Sequence, residues 1–224
     1  AWVRAGSYDG LVRMLRDGRL EPGALLDWFV PKVSRFFRDS DRFAELKSRH
    51  LPRLAELAGE GQLRAWSAGC SLGAEAYSVA MLLEDLGPPS GYRLLATDLS
   101  EAALEVARRA VYEFEYLHEL PIRYFRRWVR PAGDLWALDG RLKERVEFRG
   151  HDLLSDPYPE GMHLVVCRNV LIYFQPEVRR PILARLAGSL VPGGVLFLGA
   201  ADMVLSPGEA GLRHVSPCFC VKEC

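Results

Sequence analysis

The spacing of apolar residues changes character near residue 60. Before it, Leu11, Val12, Leu15 and Leu20 recur at helical intervals, as do Phe43, Leu46, His50, Leu54 and Leu57, so residues 1 to about 58 read as helix. Pro22-Gly23 and Val30-Pro31 break that stretch into short helices, and Gly59 and Gly61 close it. From Leu63 on, short apolar runs alternate with amphipathic segments. Leu63–Ser67, Tyr92–Thr97, Arg145–Arg149, His163–Cys167, Val195–Leu198 and Cys218–Lys222 predict strands. Ala74–Leu86 and the stretch from Ser100 to Ala110 predict helices, with Ser100 as N-cap and Glu101 set against the helix dipole. A further helix starts at Pro176, carries Val178, Ile182, Leu186 and Leu190, and stops at Pro192-Gly193-Gly194. Continuous apolar strands alternating with helices argue for an α/β fold, a parallel sheet covered on both faces. Ligands of such sheets sit at the carboxyl ends of the strands. Residues 121–145 hold Trp128, Pro131, Gly133, Trp136 and Gly140, too turn-rich for one helix, and read as a small inserted subdomain.

Composition narrows the class. The chain has 224 residues, 49% hydrophobic and 26% charged, which excludes disordered and fibrous architectures and suits one sizeable domain with an appendage. Basic and acidic residues number 29 each, so binding of a polyanion by bulk charge is excluded. No run approaches the roughly 18 apolar residues of a membrane span and no basic-then-apolar leader opens the chain, so a cytoplasmic, reduced protein with no direct membrane insertion is expected. The five cysteines are unevenly spaced. Cys218, Cys220 and Cys224 lack a second pair of ligands at zinc-finger spacing, and no metal is expected.

Chemistry concentrates where predicted strands end. Gly69-Cys70-Ser71-Leu72-Gly73 joins a strand to a helix, and glycines there let backbone N–H groups approach a ligand or simply make a tight turn. Asp98 ends the next strand, where an acidic residue either accepts hydrogen bonds from ribose hydroxyls or caps the following helix. Asp152 follows the third strand. Cys167-Arg168-Asn169-Val170-Leu171-Ile172-Tyr173-Phe174 leaves the fourth, and a polar Arg-Asn pair after buried strand residues is expensive unless both are partnered.

Taken in order, WSAGCSLGAEAYSVAM, ATDLS, VVCRNVLIYF and LVPGGVLFLGAAD, preceded by SRFFRD, resemble the chemotaxis receptor methyltransferases, the CheR family. The resemblance runs over about residues 10 to 222 with closely similar spacing. It implies a Rossmann-like S-adenosylmethionine (AdoMet)-dependent methyltransferase fold. Residues 1–58 would be a short N-terminal helical domain and residues 59–224 the methyltransferase domain with its β insert. It implies methyl transfer from AdoMet to glutamate carboxylates on the cytoplasmic domain of methyl-accepting chemoreceptors, leaving S-adenosylhomocysteine, with no nucleic-acid partner. By the same resemblance Ser34, Gly69, Glu75, Asp98, Asp152, Leu153, Asn169 and Val170 would hold the cofactor. Arg38 and Tyr173 would serve the reacting carboxylate. The chain departs from the family's pattern at Lys32, an asparagine in relatives. It also reads Ala74-Glu75-Ala76 where relatives have a glutamate pair and a proline, and Gly199-Ala200-Ala201-Asp202 where they have Gly-x-Ser-Glu.

Two other readings stay open. Arg123, Tyr124, Phe125, Arg126, Arg127, Trp128 and Arg130 interleave bases with rings as single-strand-binding surfaces do, so RNA, or a small carboxylic acid, is an alternative substrate. A non-catalytic AdoMet- or receptor-binding module is the other. Charge by region leaves room for an acidic protein substrate. Residues 1–58 carry 11 basic and 8 acidic residues, and residues 121–149 carry 8 and 4. Both regions would flank the substrate and steer it by salt-sensitive attraction.

Overall fold

The computed structural model describes residues 8–18, 34–202 and 207–223. The chain divides into two compact units, residues 1–33 and residues 34–224. In the first, helix α1 (Tyr8–Arg16) carries Asp9 in its first turn and Arg13 and Arg16 in its last, charges that complement its dipole.

The second unit opens with a continuous helical stretch: α2 (Ser40–Glu45), a π-helical turn (Leu46–His50) and α3 (Leu51–Ala58). Pro52, without an N–H, sits at the start of α3 and suits the wider turn before it. There follow β1 (Leu63–Ala68), α4 (Ala74–Leu86), β2 (Tyr92–Asp98), α5 (Glu101–Arg109) and β3 (Val111–Tyr112). Next come α6 (Phe114–Leu117), α7 (Ile122–Trp128), β4 (Val129–Ala132), β5 (Leu135–Leu138) and α8 (Gly140–Lys143). The unit closes with β6 (Val146–Gly150), β7 (Met162–Cys167), α9 (Pro176–Ser189), β8 (Leu190–Leu198), β9 (Leu212–Ser216) and β10 (Phe219–Lys222).

The main sheet has the order β6-β2-β1-β7-β8-β10-β9. Its first five strands are parallel, and β10 runs antiparallel to both β8 and β9. This is a Rossmann-like sheet. Strand order reverses at β1, which lies between β2 and β7, so the gap at the β1 and β7 carboxyl ends is the topological switch point where ligands bind. Alternation along the strands makes two cores. Leu63, Ala65, Leu164, Val166, Val195 and Phe197 pack with α4 and with Phe36, Phe43, Leu51 and Leu54 from residues 34–58. Trp66, Ala68, Val165, Cys167, Leu196 and Leu198 pack with Ile182, Leu183 and Leu186 of α9 on the other face. A second sheet, β3-β5-β4, is built from the inserted region and Val111-Tyr112 before it.

Two elements differ from the sequence reading. Leu190 belongs to β8, not to the preceding helix, because α9 ends at Ser189 and the chain extends at once. Pro192-Gly193-Gly194 is absorbed as a register shift, with Met162 opposite Leu190 but Leu164 opposite Val195. The polar edge strand β9 was not anticipated. Among the described residues no helix is long and apolar enough to cross a membrane.

Candidate active site

Every loop at the switch point is pinned by a charged side chain. The turn after β1 needs glycine at its two ends: Gly69 has φ 77° and Gly73 φ 85°. A Cβ on Gly69 would meet Val170 Cγ2 at 2.5 Å, so this position brings two of the expected cofactor residues into direct packing. Asp98 accepts the Ser71 N–H (2.7 Å) with one carboxylate oxygen and the Ser100 N–H (2.9 Å) with the other. It ties the turn to the start of α5, whose N-cap is Ser100, accepting from the Ala103 N–H at 3.1 Å. His151 donates its backbone N–H to the Asp98 carbonyl at 3.0 Å, which sets Asp152 beside it. Asp152 in turn organises its own loop, accepting from the Leu154 N–H (2.8 Å) and the Ser155 hydroxyl (3.0 Å). Leu153 is buried.

Glu75, in the first turn of α4, accepts the Ser67 hydroxyl at 3.3 Å and pairs with Arg168 Nη1 at 3.4 Å. Burial pushes its carboxyl up, and the Arg168 charge pulls it back part of the way. Arg168 also pairs with Asp39, and its guanidinium lies over the rings of Phe43 (5.4 Å) and Phe197 (4.7 Å). Here the cost of burying Arg168 is met by two carboxylates that are remote in sequence.

Asp39 brings its neighbours to the same edge. Phe37 and Asp39 both hold positive φ (54° and 61°), and the Phe37 N–H donates to Ser78 Oγ at 3.0 Å. Half-buried Arg38 is therefore clamped between two anchored residues, while Ser34 is buried at the head of the segment. After Arg168 the chain turns at Asn169 (φ 57°), whose N–H donates to Asp202, as does that of Ile172 at 3.1 Å. The short 3-10 turn Leu171–Tyr173 leaves Tyr173 51% exposed. The sequence-predicted residues 38, 69, 75, 98, 152, 153, 169, 170 and 173 lie on loops or element ends at this carboxyl edge, and Ser34 lies on the loop before α2. Lys32 lies outside the described residues.

Sequence reasoning missed Asp39, Asp202 and Arg185. Arg185 of α9 donates to the carbonyls of Leu153 (2.9 Å), Leu154 (3.0 Å) and Asp156, and lies 4.0 Å over the Tyr158 ring. Nothing in the local pattern of α9 marks it. Asp202 carried a faint signal, as the acid that closes the Gly199–Asp202 run. Cys70 offers no nucleophile: burial, with the nearby Asp98 and Glu75 charges, pushes its thiol well up. In α7, Tyr124 and Trp128 are buried, and Arg127 pairs with Asp85 at 3.1 Å, so those rings are not stacking platforms for bases.

Known proteins are similar to this chain in sequence and fold. The family model described as "CheR methyltransferase, SAM binding domain" matches residues 32–215. A chemotaxis protein methyltransferase of Listeria monocytogenes is 40% identical over 202 residues, 88% of this chain and 77% of that protein. Chemotaxis protein methyltransferase 1 of Pseudomonas aeruginosa is 39% identical over 187 residues, 80% of this chain and 68% of that one. Among solved structures, the S-adenosylmethionine-dependent methyltransferase SibL in its apo form shares the fold, with TM-score 0.50 and 17% identity over 83% of this chain and 56% of that chain.

Proposed function

The chain belongs to the CheR methyltransferase family and is an AdoMet-dependent enzyme of chemotaxis, and from that premise we propose that it esterifies glutamate side chains of chemoreceptors on their cytoplasmic domain. The donor set suits the cofactor. A carboxylate has about four acceptor sites, so Asp98 can hold two backbone N–H groups and still meet a ribose hydroxyl. Glu75, only 14% exposed and already facing one cation, suits the ammonium of the amino-acid end. Asp152, Leu153, Asn169 and Val170 would line the rest, with Ser34 and Gly69 completing the enclosure. When bound, AdoMet supplies an electrophilic methyl group on a sulfonium.

The chain's own residues have an orienting task. A glutamate side chain is ionised at neutral pH, its ordinary pKa being about 4.3, so no general base is needed. Holding its oxygen in line with the methyl can lower the barrier by roughly 7–11 kcal/mol. The observation that carries the substrate class is Arg38, a guanidinium fork on a backbone fixed on both sides at the carboxyl edge. Such a fork grips a carboxylate at two points. Tyr173, half exposed just past β7, adds a weaker hydrogen bond. The grip must stay moderate, because stabilising the nucleophile in the ground state slows attack. The basic helical region and the basic insert would steer the receptor.

The test is incubation with methyl-labelled AdoMet and chemoreceptor-containing membranes, followed by mild base. Label should enter receptor protein and leave as methanol. Base-stable label, or label found only in RNA, refutes the proposal. Arg38→Ala should lower kcat more than cofactor affinity, and equal losses would contradict its role.

A further inference from the structure

The Arg168 side chain is 2% exposed, yet its Nε has no hydrogen-bond partner among the described residues. Its guanidinium is aimed edgewise, Nη1 to Glu75 and Nη2 to Asp39, between the Phe43 and Phe197 rings. A buried guanidinium left short of one partner is not optimised for stability alone. It also faces two carboxylates, so with both ionised the group Asp39–Arg168–Glu75 sums to one negative charge. That charge lies at the switch point, where a cation would neutralise it.

We propose that Arg168 is a positioning residue that keeps Glu75 as a carboxylate and aims it at the ammonium of the cofactor's amino-acid end. The inference rests on the reading above that Glu75 meets that ammonium. Among the described residues, these groups face Glu75. Arg168 comes from the end of β7, Ser67 from β1 and Asp202 from the turn after β8. The Cys70 and Cys167 thiols also lie near, both pushed well up by burial and therefore neutral. Burial and Asp202 favour the protonated form of Glu75; Arg168 is the one cation among these groups that opposes them. Without it Glu75 takes up a proton and loses its grip on a cation. Asp39 has a second task, anchoring Arg168 from the segment that carries Arg38.

The test is calorimetric titration with S-adenosylhomocysteine, which keeps the ammonium, between about pH 6 and about pH 8. Wild-type affinity should be flat across this range, with no net proton exchanged when buffers of different ionisation enthalpy are compared. Glu75→Gln should bind about ten- to a hundredfold more weakly at every pH, as expected for losing a hydrogen bond to a charged group. Arg168→Met should be weakened at the acid end and recover toward the alkaline end. Arg168→Lys should stay flat, and Glu75→Gln with Arg168→Met should be no weaker than Glu75→Gln alone. An Arg168→Met loss independent of pH means a merely structural role and overturns the proposal. So does a proton released on binding to the wild type near about pH 6, which shows Glu75 neutral beforehand and needs no variant to fold. Wild-type affinity in Glu75→Gln overturns instead the assignment of Glu75 to the ammonium.

Discussion

Asp202 is the residue whose replacement tests the architecture most directly. It is 4% exposed and accepts the backbone N–H groups of Asn169 and, at 3.1 Å, Ile172. Those bonds hold the turn that carries Asn169, Val170 and Tyr173. Asp202→Asn keeps the shape but offers one acceptor oxygen and turns an NH2 toward a donor, so one bond is lost. A hydrogen bond to a charged acceptor contributes about 1.5–3 kcal/mol, and water reaches the exposed Ile172 side of the turn, so the expected loss is about 1–2 kcal/mol at neutral pH. Its pH dependence has a definite sign. Burial raises the Asp202 carboxyl above the usual range even though four backbone N–H groups pull it down. The native state then binds this proton more readily than the unfolded chain does. The group's contribution is full below the ordinary carboxylate value and is lost as pH rises through the raised one. Asparagine does not titrate. The stability gap between wild type and Asp202→Asn should therefore widen toward acid and narrow toward neutrality. Urea unfolding at about pH 5, 6 and 7 measures it, provided m stays constant. A gap that widens toward neutrality, or no gap at any pH, refutes the reasoning.

Arg185→Met should raise the KM for AdoMet about tenfold with kcat nearly unchanged, because three carbonyls of the loop bearing Leu153 lose their donor. Arg185→Lys should be intermediate, and a fall in kcat at constant KM counts against it. His50, stacked on Phe219 at 4.3 Å, is lowered by burial more than Glu45 raises it. The unfolded chain then binds its proton more readily, so stability present above the ordinary histidine value is lost as pH falls through the depressed one. His50→Phe should reduce the wild-type fall in Tm from about pH 7 to about pH 5, with a residual slope from His163, also lowered by burial, and parallel curves would reject this. Gly199→Ala should cost about 1–3 kcal/mol in chemical unfolding, since its Cβ would meet Asp202 Oδ2 at 2.5 Å and the Asn169 backbone nitrogen at 2.8 Å. An unchanged midpoint would show that the turn has slack.

The parallel strands and α4 were legible because each is mainly apolar and bounded by turn residues. Leu63–Ala68 and Met162–Cys167 are buried on both faces apart from Arg64 and His163 near their starts, and Ala74–Leu86 matches its predicted span. The start of β8 was not, because Leu190 satisfies the helical spacing of α9 as well as it satisfies a strand facing Met162. The strands of the small sheet have two to four residues, too few to show a period, and β9 is a half-polar edge strand. At the site, the sequence shows that Arg168 and Asn169 need partners. It does not show which, because those partners are 129, 93 and 33 positions away.

This distance has a physical cause. A loop that offers its backbone to a ligand cannot also spend those groups on a helix or strand ladder, so its shape must be held by something else. Here the holders are charged side chains borrowed from other elements. Asp98 holds the turn after β1, Arg185 the loop at Leu153, Asp202 the turn at Asn169, and Arg168 the segment at Asp39. Apolar packing could fix the same loops, but it would not set the charge that the cofactor meets. With ionised holders, loop shape and site charge are one property. A single protonation at Glu75 or Asp202 therefore alters site charge and local order together, whereas an exposed pair such as Arg149–Glu147 can be lost with little effect on either.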